Sequence, residues 1–178
     1  KQQKGNIMTG EKFTLRQYSV SAILGLIEAD EFVIPEIQRP FVWKRSQVRD
    51  LIDSLYNGYP TGYIITWKNP DVKTKEGGRA NGKKVLIDGQ QRVTALMAAI
   101  AGKEVAFNPL AEDTSKIFAV QDASHLKDKR WIPDISIVFD SDFDAFEFSV
   151  EYCTINEGIK PNIINKAIAS LRGIANRQ

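Results

Sequence analysis

Lys83 to Ile100 reads KKVLIDGQQRVTALMAAI, and its reading decides the fold. A short aliphatic run, Lys84 to Ile87, reads as a strand. From Gln90 to about Ile100 the apolar residues recur at helical spacing. Between the two sits Asp88-Gly89-Gln90-Gln91-Arg92. Turning a strand into a helix needs only Asp-Gly, so two amides and an arginine are more than the turn requires.

A turn of this kind has a definite chemistry. The first turn of a helix carries backbone N–H groups with no partner inside the helix and a partial positive charge, which suit a phosphate. Gly89 lets a ligand approach the backbone. Arg92 can fork onto phosphate oxygens, and Gln90 and Gln91 can hydrogen-bond a ligand or a water. Asp88 can hold Mg²⁺ or orient an attacking water. A plainer reading stands beside this one: Asp88 caps the helix and Arg92 pairs with a surface carboxylate.

A second candidate lies upstream, in IPEIQRPFVWKRSQ. Prolines flank Gln38 and Arg39 and hold them extended. Trp43 and the cations Lys44, Arg45 and Arg49 follow. Aromatic and basic residues in this order suit a base and its phosphates. The plainer reading puts Phe41 and Trp43 in the core and leaves Lys44 and Arg45 solvated.

Around these stretches the chain reads as mixed α and β. VSAILGLIEAD carries apolar residues at helical spacing after Ser19, a candidate N-cap. Val48, Leu51, Ile52, Leu55 and Tyr56 form the stripe of a helix capped by Ser46 and ended by Asn57-Gly58. TGYIITW reads as a strand that can pair antiparallel with Lys84–Ile87. Lys68 to Asn81 reads as an exposed loop. KEVAFNP, KIFAV and ISIVF read as short strands, DSDFDAFE as a solvated turn, and PNIINKAIASLRGIA as a helix. His125 reads as exposed and Cys153 as a small packed hydrophobe. The Val48–Tyr56 stripe is expected to pack on the same sheet as the strand pair. Arg39 and Arg92 are expected to line one pocket.

Composition narrows the functions. The 178 residues are 43% hydrophobic and 26% charged, which allows a buried core, and the net charge of +2 argues against a wholly nucleic-acid-binding surface. One cysteine and one histidine exclude an internal disulfide, a Cys/His zinc cluster and a His-Asn-His nuclease site built from this chain alone. There is no P-loop, dinucleotide fingerprint, nucleophile elbow or H-E-x-x-H. No apolar run approaches a membrane span, so the expected location is the cytoplasm. KQQKGNIMTG lacks a signal-peptide core, and the absent initiating Met reads as a fragment or a processed chain.

FVIPEIQRPFVW, LIDSLYNGYPTGYIITW and LIDGQQRVTALMA, in that order, resemble the N-terminal domain of GmrSD-type restriction endonucleases. AFNPL and VQDASHLKDKRWIPDIS resemble a later section of one branch. The resemblance implies an α+β fold with a ParB/sulfiredoxin-like core, a small mixed sheet packed with helices, over residues 18–148. Residues 1–17 would be an extension and 149–178 a C-terminal helical segment. It implies a phage-defence role in which the Asp88–Arg92 motif binds and hydrolyses a nucleoside triphosphate, GTP or ATP, with Mg²⁺. Gln38, Arg39, Trp43 and Gly89 would bind the nucleotide. Asp88, Gln90, Gln91 and Arg92 would be catalytic, with Asp88 on the metal. DNA and a separate nuclease domain are the expected partners. The alternative is a non-catalytic sensor of nucleotide or DNA that regulates an effector. The direct passage from GKEV to AFNPL departs from relatives, which carry a longer stretch there; residues are expected to be missing at that join and after Phe148.

Overall fold

The computed structural model describes residues 14–36, 40–75, 77–101, 105–113 and 116–178. Among them the chain forms six α-helices and two small sheets, an α+β domain.

The first sheet has the order β1 (Phe32–Val33), β3 (Lys84–Asp88), β2 (Ile65–Lys68). β2 runs antiparallel to β3, as expected from the sequence, and β1 runs parallel to β3, a pairing the sequence did not indicate. β2 is shorter than expected: Thr61 to Ile64 precedes the ladder as irregular chain. A register shift lies between Ile65 and Thr66, opposite the end of β3, where the strand is about to turn.

Side chains alternate across this sheet. Phe32 and Leu86 point to one face. There Val93 of α3 (Gln90–Ala101) and Ile23, Leu26 and Ile27 of α1 (Val20–Glu28) cover them. Ser19 caps α1 as expected, its Oγ accepting the Ala22 N–H at 3.2 Å. Val33 and Val85 point to the other face and meet Val72 and Ala80. These last two belong to the segment read as an exposed loop. It is instead a docked hairpin: Lys73 bridges Arg79, Thr74 bridges Pro35, and Thr74 is buried. Its lysines hid this, because alternation turns Lys73, Lys75 and Arg79 outward while Val72, Thr74 and Ala80 go in.

The main core lies on the other side of α3. Ala95, Leu96 and Ala99 meet Val48, Leu51, Ile52 and Leu55 of α2 (Arg45–Asn57). The second sheet, β4 (Val105–Phe107) antiparallel to β5 (Phe118–Val120), supplies Val105, Phe107 and Phe118 to the same core. The α2 stripe therefore packs on α3 and the second sheet rather than on the first. Small residues on α3 allow that close approach. α2 starts one residue before Ser46, with Lys44 at the N-cap and its N–H donating to Gln47 Oε1 at 2.9 Å. Gly58, at φ +74°, ends it as the Asn-Gly signal indicates.

Downstream, α4 (Ala123–Lys127) and α5 (Ala145–Ile155) are helices where the sequence reading placed none. Asp122 and Asp144 cap them. The acidic run DSDFDAFE thus ends in a helix start, not a free turn. ISIVF is a 3-10 turn, Ile135–Phe139, with Ile135 and Val138 buried; its apolar run fits either geometry. His125 is half-buried, edge-on to Trp131 with centroids 4.5 Å apart. α5 runs unbroken through Phe148. α6 (Pro161–Arg172) then returns Ile164, Ile168 and Leu171 to the main core. The GKEV side of the expected join, Gly102 to Glu104, lies outside the described residues.

Candidate functional site

Gly89 makes the turn from β3 into α3 at φ +88°, a conformation that L side chains rarely adopt. A Cβ there would also stand 2.9 Å from Ile64 Cγ1 and 3.2 Å from Ile64 Cα. Two requirements therefore meet at one residue: the left-handed turn and the close passage of the 61–64 segment.

The three residues after Gly89 reach three different parts of the chain. Gln90 Nε2 donates to Leu86 O at 2.6 Å, bracing the strand it follows. Gln91 takes both ends of one peptide stretch: Oε1 accepts the Val42 N–H at 3.0 Å and Nε2 donates to Pro40 O at 3.2 Å. Arg92 donates to Thr61 O at 2.5 Å and to Tyr63 O at 2.6 Å. Its guanidinium also lies 3.6 Å from Asp88 Oδ2, with the Arg92 side chain 20% exposed and that of Asp88 66%. Asp88 is therefore the open group of the motif, and its ion pair with Arg92 is loose and solvent-screened.

Gly62 is a residue that sequence reasoning passed over. Its φ is +88°, and a Cβ there would stand 2.5 Å from Arg92 Nη1. The guanidinium occupies the place of the missing side chain. The signal was present as Gly62 in YPTGYII, but only the fold shows what fills the space.

Gln38 and Arg39 lie outside the described residues, and so does the Arg39 side of the pocket expected with Arg92. Pro40 and Val42 are held by Gln91, so the Pro40–Val42 segment and the Asp88–Arg92 turn are brought together across about fifty residues of sequence. Trp43 is half-buried and packs on the main core, while Phe41 is 41% exposed, the reverse of the core role read for it.

Lys44 and Arg45 are exposed at the start of α2. Arg49 is engaged: its Nε donates to Asp50 Oδ1 at 2.6 Å. Burial pushes the nearby Asp53 carboxyl up, and the Arg49 charge opposes that rise. A cleft lined by Tyr56, Ser170, Gly173, Asn176 and Arg177 is built from other elements and contains no motif residue.

Among the described residues no group of three or more His, Cys, Asp and Glu could hold a metal by itself. Asp88 fits a different kind of site. Mg²⁺ is commonly held by one or two carboxylates, with substrate phosphates and water completing the shell. No helix among the described residues is long and apolar enough to cross a membrane.

Comparison with curated proteins gives no match. The family pattern described as the GmrSD restriction endonuclease, N-terminal domain, matches residues 20–172, which span both sheets, the Asp88–Arg92 turn and α1 through α6. The chain belongs to the family of GmrSD restriction endonuclease N-terminal domains, which places it in a restriction system.

Proposed function

We propose that this domain binds a nucleoside triphosphate at the Asp88–Arg92 turn and hydrolyses it. One observation carries the reading. A strand ends in an exposed carboxylate, turns at a glycine with no room for a side chain, and opens directly into the first turn of α3. That first turn offers N–H groups and positive potential to phosphate oxygens, and Arg92 adds a full charge beside it.

In this reading Asp88 holds Mg²⁺ that arrives with the triphosphate, or orients the attacking water. The metal supplies charge neutralisation on the phosphates. Gln90 spends its Nε2 on Leu86 O and, among the described residues, its Oε1 has no partner, so that oxygen can orient a water. Gly89 is buried against Ile64, so its part is to make the turn that aims the first N–H groups of α3. Gln38 and Arg39 are assigned phosphate contacts in this reading. Exposed Lys44 and Arg45 are proposed contacts to DNA, with a linked nuclease domain as the effector.

Thermal shift with Mg²⁺ and GTP or ATP, followed by product analysis, tests this. A higher melting temperature together with released phosphate supports hydrolysis. A higher melting temperature without product makes the domain a sensor that regulates its effector. The absence of both responses would contradict a nucleotide site in this chain.

A further inference from the structure

We propose that Gln91 and Arg92 are positioning residues, two straps that fasten separate chain segments to the start of α3, rather than groups that touch the phosphates. This rests on the nucleotide reading only for what the straps shape. The fastening itself stands on the hydrogen bonds.

The side chains are already committed. Gln91 uses its oxygen on Val42 N–H and its amide nitrogen on Pro40 O, reproducing the pairing of a neighbouring β-strand. Arg92 spreads its two terminal nitrogens over Thr61 O and Tyr63 O. Those carbonyls belong to chain outside any ladder, so without Arg92 they have only water. Moving Arg92 onto a phosphate would break both bonds and leave the space beside Gly62 empty.

The φ of +88° at Gly62 already favours glycine, and the pairing with Arg92 adds a second, steric requirement. Arg92 lies where the Cβ of any other residue at position 62 would be, so Gly62 and Arg92 act as one lock. Ile64, next along this segment, is in turn held against Gly89. The 61–64 segment is thereby fastened to Gly89 and Arg92, and the Pro40–Val42 segment to Gln91. In the nucleotide reading, exposed Asp88 and the first N–H groups of α3 remain for the ligand.

Tyr63 and Phe41 make the fastening measurable without any ligand. Tyr63 is 74% exposed and is followed by Ile64; Phe41 is followed by Val42. Both are chymotrypsin sites, cut only when the local chain opens. In the ligand-free domain, Arg92→Ala should speed cleavage after Tyr63 by about fivefold or more, and Gln91→Ala should do so after Phe41. Gly62→Ala keeps the Arg92 charge but displaces the guanidinium, and should match Arg92→Ala in cleavage after Tyr63. Both should also raise the KM for the Mg–triphosphate by a similar factor. Arg92→Lys, which keeps the charge but has a single donor nitrogen in place of the fork, should be intermediate, and it serves if the alanine variant does not fold.

Unchanged cleavage after Tyr63 in Arg92→Ala would overturn the proposal. So would loss of nucleotide affinity in Arg92→Ala with wild-type affinity in Gly62→Ala, because that is the pattern of a direct phosphate contact. Should the wild-type domain take up no triphosphate, the nucleotide reading fails, and the cleavage rates still decide the straps.

Discussion

Gln91 and Val42, forty-nine residues apart, are joined as two strands would be: Gln91 Oε1 accepts the Val42 N–H at 3.0 Å while its Nε2 donates to Pro40 O at 3.2 Å. One side chain thus connects the two parts of the sequence that carry the most chemistry. A helix start that receives a second chain segment is a place where a site can be assembled from distant residues.

Gly89→Ala tests the turn. The new Cβ meets the Ile64 backbone as well as its side chain, and the left-handed φ adds its own cost. The expected loss of stability is about 2–3 kcal/mol, read by urea unfolding. A loss below about 0.5 kcal/mol would show that the turn relaxes freely.

Ile52→Ala tests where α2 packs. Ile52 is fully buried among residues of α3 and the second sheet. The substitution should cost about 2–5 kcal/mol. Backbone amide shifts should move at Ala99 and Phe107 and stay in place at Val33 and Val85, since those two sit in a different cluster.

Tyr152 gives a pH dependence with a definite sign. Burial, helped by Asp128 and Cys153, pushes its phenol from about 10 up to about 12, and its hydroxyl donates to Arg130 O at 2.6 Å. The folded state therefore holds this proton more tightly than the unfolded chain. Stability from this group is intact below about pH 10 and is lost as pH rises from about 10 toward about 12. Tyr152→Phe should flatten that alkaline loss in melts taken at successive pH values.

For DNA, exposure separates three neighbouring cations. Lys44 and Arg45 are free to meet phosphates, whereas Arg49 is held by Asp50. Removing Lys44 and Arg45 together should reduce the salt slope of binding by about 2, at about 0.9 per phosphate contact. Arg49→Ala should leave it nearly unchanged. A larger effect from Arg49 would reverse this assignment.

Local signals carried much of the fold. Ser19 before an apolar period, Asn57-Gly58 after one, and a β-branched run opposite Lys84–Ile87 all act within a few residues, and all appear, the last with its ladder starting only at Ile65. What stayed hidden depended on distant partners. ISIVF is apolar enough for a strand, and only its place beside α3 and α6 makes it a 3-10 turn. The Lys68 to Asn81 segment looked like loop because its outward lysines masked an inward Val72, Thr74 and Ala80. At the site, the residue types of the Asp88–Arg92 turn were legible, but their hydrogen-bond partners were not. Nothing in the sequence ties Gln91 to Val42 or Arg92 to Gly62, because those pairings are set by how the 40–42 and 61–64 segments cross the start of α3.

Phosphate release from Mg–GTP and Mg–ATP by the wild-type domain and by Asp88→Asn is the most direct test of the nucleotide site. Asp88 is exposed and makes only a loose ion pair, so the substitution should leave the fold and its melting temperature in place. The account predicts release by the wild type and a rate at least about tenfold lower in Asp88→Asn, with nucleotide still bound. Equal rates in the two proteins would contradict it.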